Sequence, residues 1–137
     1  MLIQKSLFQI GLVAKQSSIP IKTIRYYEEF GLLKASGRTE GGYRLFDSDV
    51  FSRLNFIKRA QKLGLSLSEI KEFLDVYDQG NLPCNQVKEK LSKKIAEIEQ
   101  QIEQLQILKR ELKELLSGEK INTQNLPATI CPIIEQN

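Results

Sequence analysis

From Asn85 to Ser117 the apolar residues recur at a helical spacing. Val87, Leu91, Ile95, Ile98, Ile102, Leu105, Leu112 and Leu116 follow one another mostly in alternating steps of four and three, the seam of a coiled coil. Lys109 interrupts the seam, and Ile107, Leu108 and Leu115 widen the stripe there. Lys93, Lys94, Glu97, Glu99, Glu103, Arg110, Glu111, Lys113 and Glu114 form a charged flank between the apolar positions. The pattern predicts one helix of about 33 residues, roughly 50 Å long at a rise of 1.5 Å per residue. A helix with one apolar seam is not stable alone, and the residues before it are too few to cover it. The seam, through Leu91, Ile95, Ile98, Ile102, Leu105 and Leu112, is therefore expected to pair with a second copy of the chain.

Upstream the patterns are shorter. Residues 7–16, LFQIGLVAKQ, read as a helix with Phe8, Ile10, Leu12 and Val13 apolar, interrupted by Ser17-Ser18. After Ile19-Pro20-Ile21, the stretch Lys22 to Phe30 reads as a second helix stopped by Gly31. Two short helices joined by a tight turn make a helix-turn-helix candidate. The second helix places Ile21, Ile24 and Tyr27 or Phe30 on an inner face. Lys22, Thr23, Arg25 and Tyr26 lie on or near the outer one, and such groups bind phosphate oxygens and base edges.

Leu32-Leu33 and Tyr43-Arg44-Leu45-Phe46 flank the polar, Gly-rich Ser36 to Gly42 and read as a hairpin. Arg38 and Arg44 bracket its loop, with Gly42 and Tyr43 beside them, so it is expected to act as a wing that reaches phosphates. A helix capped by Ser48 or Asp49 runs through Leu63, burying Val50, Leu54, Ile57 and Ala60 and exposing Arg53, Lys58, Arg59 and Lys62. Gly64 ends it. Ser66 and Glu69 form a capping box for a helix from Leu67 to Tyr77. Asp78 to Pro83 is a break, and Cys84 stands at the head of the long helix. The domain reading is therefore 1–77 for DNA binding, 78–84 as a hinge, 85–117 for dimerisation, and 118–137 as a C-terminal loop and tail, polar and irregular over Gly118 to Ala128.

Composition sharpens this picture. Residues 1–62 carry 11 Lys/Arg against 5 Asp/Glu, a net of +6, whereas residues 63–137 carry 9 against 12, a net of −3. A basic N-terminal half on an acidic remainder suggests a nucleic-acid face with a separate sensor region. The chain has no histidine, which removes the commonest general base and metal ligand. It also shows no phosphate loop and no paired carboxylates, so an enzyme is not expected. Apolar runs are too short to span a bilayer and no signal peptide precedes Phe8, so a cytoplasmic location is expected. The two cysteines then read as thiols rather than a disulfide.

Taken together, the sequence resembles the MerR family of bacterial transcriptional regulators. The resemblance rests on Thr23-Ile24-Arg25-Tyr26-Tyr27-Glu28, Gly31-Leu32-Leu33 and Arg38-Thr39-Glu40-Gly41-Gly42-Tyr43-Arg44. Phe56-Ile57-Lys58-Arg59-Ala60 and Leu63-Gly64-Leu65-Ser66-Leu67, with Glu69 and Ile70, follow in the family's order. It implies a mainly α fold: a winged helix-turn-helix, a long antiparallel dimerisation helix and a short C-terminal metal-binding loop. It also implies a homodimer on a palindromic promoter operator, with Lys22, Thr23, Arg25, Tyr26, Arg38, Gly42, Tyr43, Arg44 and Lys58 toward DNA. Effector binding would bend and untwist that DNA so that RNA polymerase engages both promoter elements.

Within the family, Cys84 and Cys131 resemble the first and last thiol positions of the metal-responsive branch, with cysteine at position 84 going with divalent ions. A further cysteine usual in that branch is absent; Ser117, Glu119, Asn122 and Thr123 stand in that region. The 13 residues between Ser117 and Cys131 span at most about 45 Å fully extended, less than the long helix. Cys84 of one chain is thus expected to meet Cys131 of an antiparallel partner. Both thiols are expected at helix N-termini, where partial positive charge suits a thiolate. Two thiolates suit a soft ion of low coordination, Hg(II) above all. Zn(II), Cd(II) or Pb(II) would need oxygen to complete a shell. Structural thiols, or a regulator of this fold that responds to thiol oxidation without metal, are the alternatives.

Overall fold

The computed structural model describes residues 6–118 and 128–135. The elements run β1 (Phe8–Gln9), α1 (Ile10–Ser17), α2 (Ile21–Phe30), β2 (Gly37–Arg38), β3 (Arg44–Phe46), α3 (Asp49–Lys62), α4 (Leu67–Asp78) and α5 (Cys84–Ser117). The chain divides into two compact units, Met1–Val87 and Lys88–Asn137.

In the first unit, α1 and α2 form the helix-turn-helix. Ser18 takes a left-handed conformation (φ 59°), its N–H bonding to the Ala14 carbonyl. Ile19 is buried in the turn, and Pro20 accepts the N–H groups of Thr23 and Ile24. Gly31 stops α2 at φ 94°, a conformation that side-chain-bearing residues avoid. Ile24 and Tyr27 are buried as the spacing required, but Ile21, expected inward, is exposed.

The start of the chain differs from the sequence reading. Phe8–Gln9 is a strand, and helix begins only at Ile10. The strand pairs antiparallel with β3, placing Phe8 opposite Phe46, while β2 pairs with the other edge of β3. The sheet order is β1-β3-β2. Leu32 and Leu33 lie outside the hairpin strands and are core residues instead. Pairing with β3 and an edge-on contact of Phe8 with Phe51 (5.1 Å between ring centroids) outweigh the helical spacing of the first few residues.

The capping of α3 also differs. Ser48 makes no side-chain cap; Asp47 Oδ1 accepts the Asp49 N–H at 2.9 Å. On α3 the residues Val50, Leu54, Ile57 and Ala60 are buried as expected. Arg53, expected exposed, is instead drawn in. Its Nε donates to the Leu32 carbonyl at 3.0 Å and its terminal nitrogens fork onto Asp78 at 2.6 and 3.2 Å. This bidentate pair fastens the end of α4 to α3 and to the segment after α2. The capping box of α4 forms as read, with Ser66 Oγ accepting the Glu69 N–H and Glu69 Oε1 accepting the Ser66 N–H. One core holds this unit together, with Phe46, Phe73, Ile24, Leu32, Leu54, Ile57, Ile70 and Val13 its largest fully buried side chains.

α5 is 34 residues long and none of them is fully buried, although Val87 near its start packs partly against the core. Ile95, Ile98, Ile102, Leu105, Leu112 and Leu116 all stand exposed, at 50–83% of their surface. In the second unit, Cys131 begins a single turn rather than a helix. Glu135 closes it: its Oε2 accepts the N–H groups of Ile130 and Cys131, both at 3.0 Å, and its own N–H donates to the Cys131 carbonyl. Glu119, Asn122 and Thr123 lie outside the described residues.

Candidate nucleic-acid interface

The residues expected at DNA are presented by two neighbouring pieces of the first unit. On α2, Lys22 and Arg25 are exposed and Thr23 half-buried, while Tyr26 keeps 51% of its surface. They hold this position because Ile24 and Tyr27 anchor the opposite face. Tyr27 also donates its hydroxyl proton to Gln61 Oε1 of α3 at 2.9 Å. Burial pushes the Tyr27 phenol above its ordinary value near 10.

The second piece is the β2–β3 hairpin. Its loop is built by Thr39: the Thr39 N–H donates to the Tyr43 carbonyl at 2.8 Å, its carbonyl accepts the Gly42 N–H at 2.9 Å, and Oγ1 accepts the Tyr43 N–H at 3.1 Å. Gly42 stands at φ 85°, which explains glycine there. Arg38 donates from Nη1 to the Gly42 carbonyl at 3.3 Å. Tyr43 at the tip is 68% exposed. Arg44 reaches from β3 to Glu28 of α2, Nε to Oε1, at 2.5 Å. The hairpin is thus joined to α2 by an ion pair. Lys58 is exposed on α3, and Lys58, Asn55, Gln16 and Ser17 line a cavity of about 220 Å³.

Sequence reasoning missed Glu28, Gln61, Asp47 and Arg53 as structural partners. Their contacts join residues remote along the chain or depend on backbone geometry, so spacing carries no sign of them. It also missed Glu135, which orders the Cys131 turn. Both thiols are free, Cys84 exposed and Cys131 half-buried. Among the described residues no group of three or more Cys, Asp or Glu side chains is placed to hold a metal ion. No described helix is long and apolar enough to cross a membrane.

Comparison with known proteins matches residues 8–76 to the MerR HTH family regulatory protein model and residues 51–115 to the MerR, DNA binding model. The chain belongs to the MerR family. Its MerR helix-turn-helix is the α1–α2 pair, with the β2–β3 wing following. The second match takes in α4 and most of α3 and α5. As a MerR protein it is a DNA-binding regulator of transcription and not an enzyme.

The chain is 38% identical over 128 residues to the mercuric resistance operon regulatory protein of Bacillus cereus, covering 93% of this chain and 95% of that protein. It is 36% identical to heavy metal-dependent transcription regulator 2 of Rhizobium meliloti, covering 93% of this chain and 84% of that protein. Among solved structures, it is similar to the regulator PbrR691 of Ralstonia metallidurans CH34 in complex with lead(II). There the TM-score is 0.71 and the identity 32%, covering 85% of this chain and 91% of that one.

Proposed function

We propose that this MerR protein binds a palindromic promoter operator as a homodimer paired through α5, and that a soft divalent metal ion is its effector. The observation that carries the metal reading is the pair of free thiols, Cys84 as the first residue of α5 and Cys131 at the head of the C-terminal turn. Similarity to a mercuric resistance regulator, a heavy metal-dependent regulator and a lead(II)-bound regulator supports a metal effector. Donor chemistry narrows the ion. The chain offers two thiols and no histidine, a set that fits a soft ion content with two thiolates. Hg(II) fits best. Zn(II), Cd(II) or Pb(II) would draw on oxygen ligands or water to fill the remaining positions.

Chain reach supports a shared site. α5 has 34 residues and so advances about 50 Å. The 13 residues between Ser117 and Cys131 extend no further than about 45 Å. In an antiparallel pair, Cys84 of one protomer faces Cys131 of its partner, twice per dimer. A bound ion would supply a link between the two thiolates. The protein favours distorted operator only if that linked dimer binds the distorted form more tightly than the relaxed one. RNA polymerase then meets promoter elements in a usable alignment.

The test is titration of the reduced full-length protein with Hg(II), Cd(II), Zn(II) and Pb(II), following the thiolate-to-metal charge-transfer band. Hg(II) is expected to saturate at one ion per chain. No band with any of the four, together with an interchain disulfide under mild oxidant, would replace metal sensing by thiol oxidation.

A further inference from the structure

An acidic residue sits among the groups assigned to DNA. Glu28 lies in the last turn of α2, where a carboxylate opposes the helix dipole. It also carries negative charge on an element meant to approach phosphates. Neither property helps DNA binding directly. Its side chain is nonetheless 85% covered, with 15% exposed, and its Oε1 meets Arg44 Nε at 2.5 Å.

Three observations give that contact a purpose. β3 is the central strand of the sheet, so an ion pair from α2 to β3 ties the hairpin to the helix. Arg38 and Arg44 are direct cross-strand partners, and like charges in that relation repel. The structure separates them: Arg38 turns to the Gly42 carbonyl and Arg44 to Glu28. Finally, the contact uses Nε, and a guanidinium holds its donors in a rigid planar fork. The Arg44 side chain is 40% exposed, which leaves it room to meet a phosphate.

We propose that Glu28 is a positioning residue for DNA binding: it holds Arg44 by Nε, ties the wing to α2, and orients the rest of the guanidinium toward a backbone phosphate. This rests on the placement of Arg44 at the DNA face. The partner is the phosphate backbone, so the contribution is expected on operator and on unrelated duplex alike.

The experiment is operator binding by the full-length wild type and by Glu28→Ala, Glu28→Gln, Arg44→Ala and the Glu28→Ala/Arg44→Ala double variant, across a salt series. Glu28→Ala removes a negative charge, so a bystander carboxylate would give tighter binding. The positioning role gives the opposite sign, a weakening of roughly tenfold, with the salt slope reduced by about one as for loss of a phosphate contact. Glu28→Gln, which keeps an oxygen for Nε and the shape of the side chain, should fall between Glu28→Ala and wild type. The double variant should be no weaker than Arg44→Ala. A loss of fold alone would leave the salt slope of the folded fraction unmoved, and that result overturns the proposal. Weak binding by Arg44→Ala alongside tighter binding by Glu28→Ala overturns the role of Glu28 alone. Unchanged binding and slope for Arg44→Ala would instead remove Arg44 from the DNA face, and the proposal with it.

Discussion

Arg25 and Tyr27 are two residues apart on α2 and face opposite environments. Arg25 is exposed and Tyr27 is buried. Replacing Arg25 by Ala is expected to weaken operator binding by about 1–3 kcal/mol while leaving the melting temperature near wild type; unchanged affinity at moderate salt would take Arg25 off the interface. Tyr27→Phe should act on stability instead. The lost hydrogen bond is worth about 1 kcal/mol, and less here because Gln61 is exposed and can turn to water. The pH dependence has a definite sign. The folded phenol ionises above its ordinary value because it is buried. Tyr27 therefore leaves stability intact below about pH 10 and lowers it as pH rises beyond that. Tyr27→Phe should lose stability less steeply above that pH than wild type, as denaturant melts at pH 8 and pH 11 would show. Parallel losses in both proteins would contradict the burial effect.

Most inward positions were legible in the sequence, because a 3.6-residue period separates the two faces of a helix, but Ile21 and Arg53 fell on the other side from the one expected. Partners were not. Glu28 and Arg44 are 16 positions apart, and Arg53 and Asp78 are 25 apart; nothing local marks either pair.

At the scale of elements, the helices α2 to α5 follow the sequence pattern to within a residue or so at their ends. The strands did not announce themselves equally. β1 has two residues, β2 two and β3 three, too few to display alternation. The hairpin was signalled by the Gly-rich loop together with its apolar flanks, of which Tyr43 to Phe46 holds β3, and β1 was absorbed into the helical spacing that follows it. At Cys131, Pro132 suits a helix start and the Glu135 carboxylate caps the free N–H groups there, but the described residues form a single turn.

The prediction at this scale concerns α5. From Ile95 to Leu112 its stripe stands exposed among the described residues, so Ile98→Glu with Leu105→Glu would set like charges at a buried seam in the proposed dimer. Monomers or unfolded chains are expected in sedimentation velocity. A variant that still sediments as a folded dimer would place the interface elsewhere.

For the whole molecule, the sharpest prediction is complementation between chains. Cys84→Ser and Cys131→Ser should each abolish tight metal binding in a homodimer, because each site then keeps one thiol. Neither should prevent metal-free protein from binding DNA. Mixed and allowed to exchange, the two variants form heterodimers in which one cross-chain site keeps both thiols and the other keeps none. Such heterodimers should regain one tight site per dimer, measured by the charge-transfer band. A site confined to one chain would regain none.

The uncovered stripe on α5 also bears on how much protein must be present for there to be any working regulator. A fold completed only by association is governed by mass action, so its melting temperature rises with concentration. Each tenfold dilution removes about 1.4 kcal/mol per mole of dimer. With the proposed pairing, the chain's own abundance would set a threshold: below it α5 would lack its partner and the protein would be exposed to proteolysis, and above it a growing share of chains would be protected. Operator DNA, by holding two protomers side by side, would lower that threshold, so occupied promoters would preserve their own regulator.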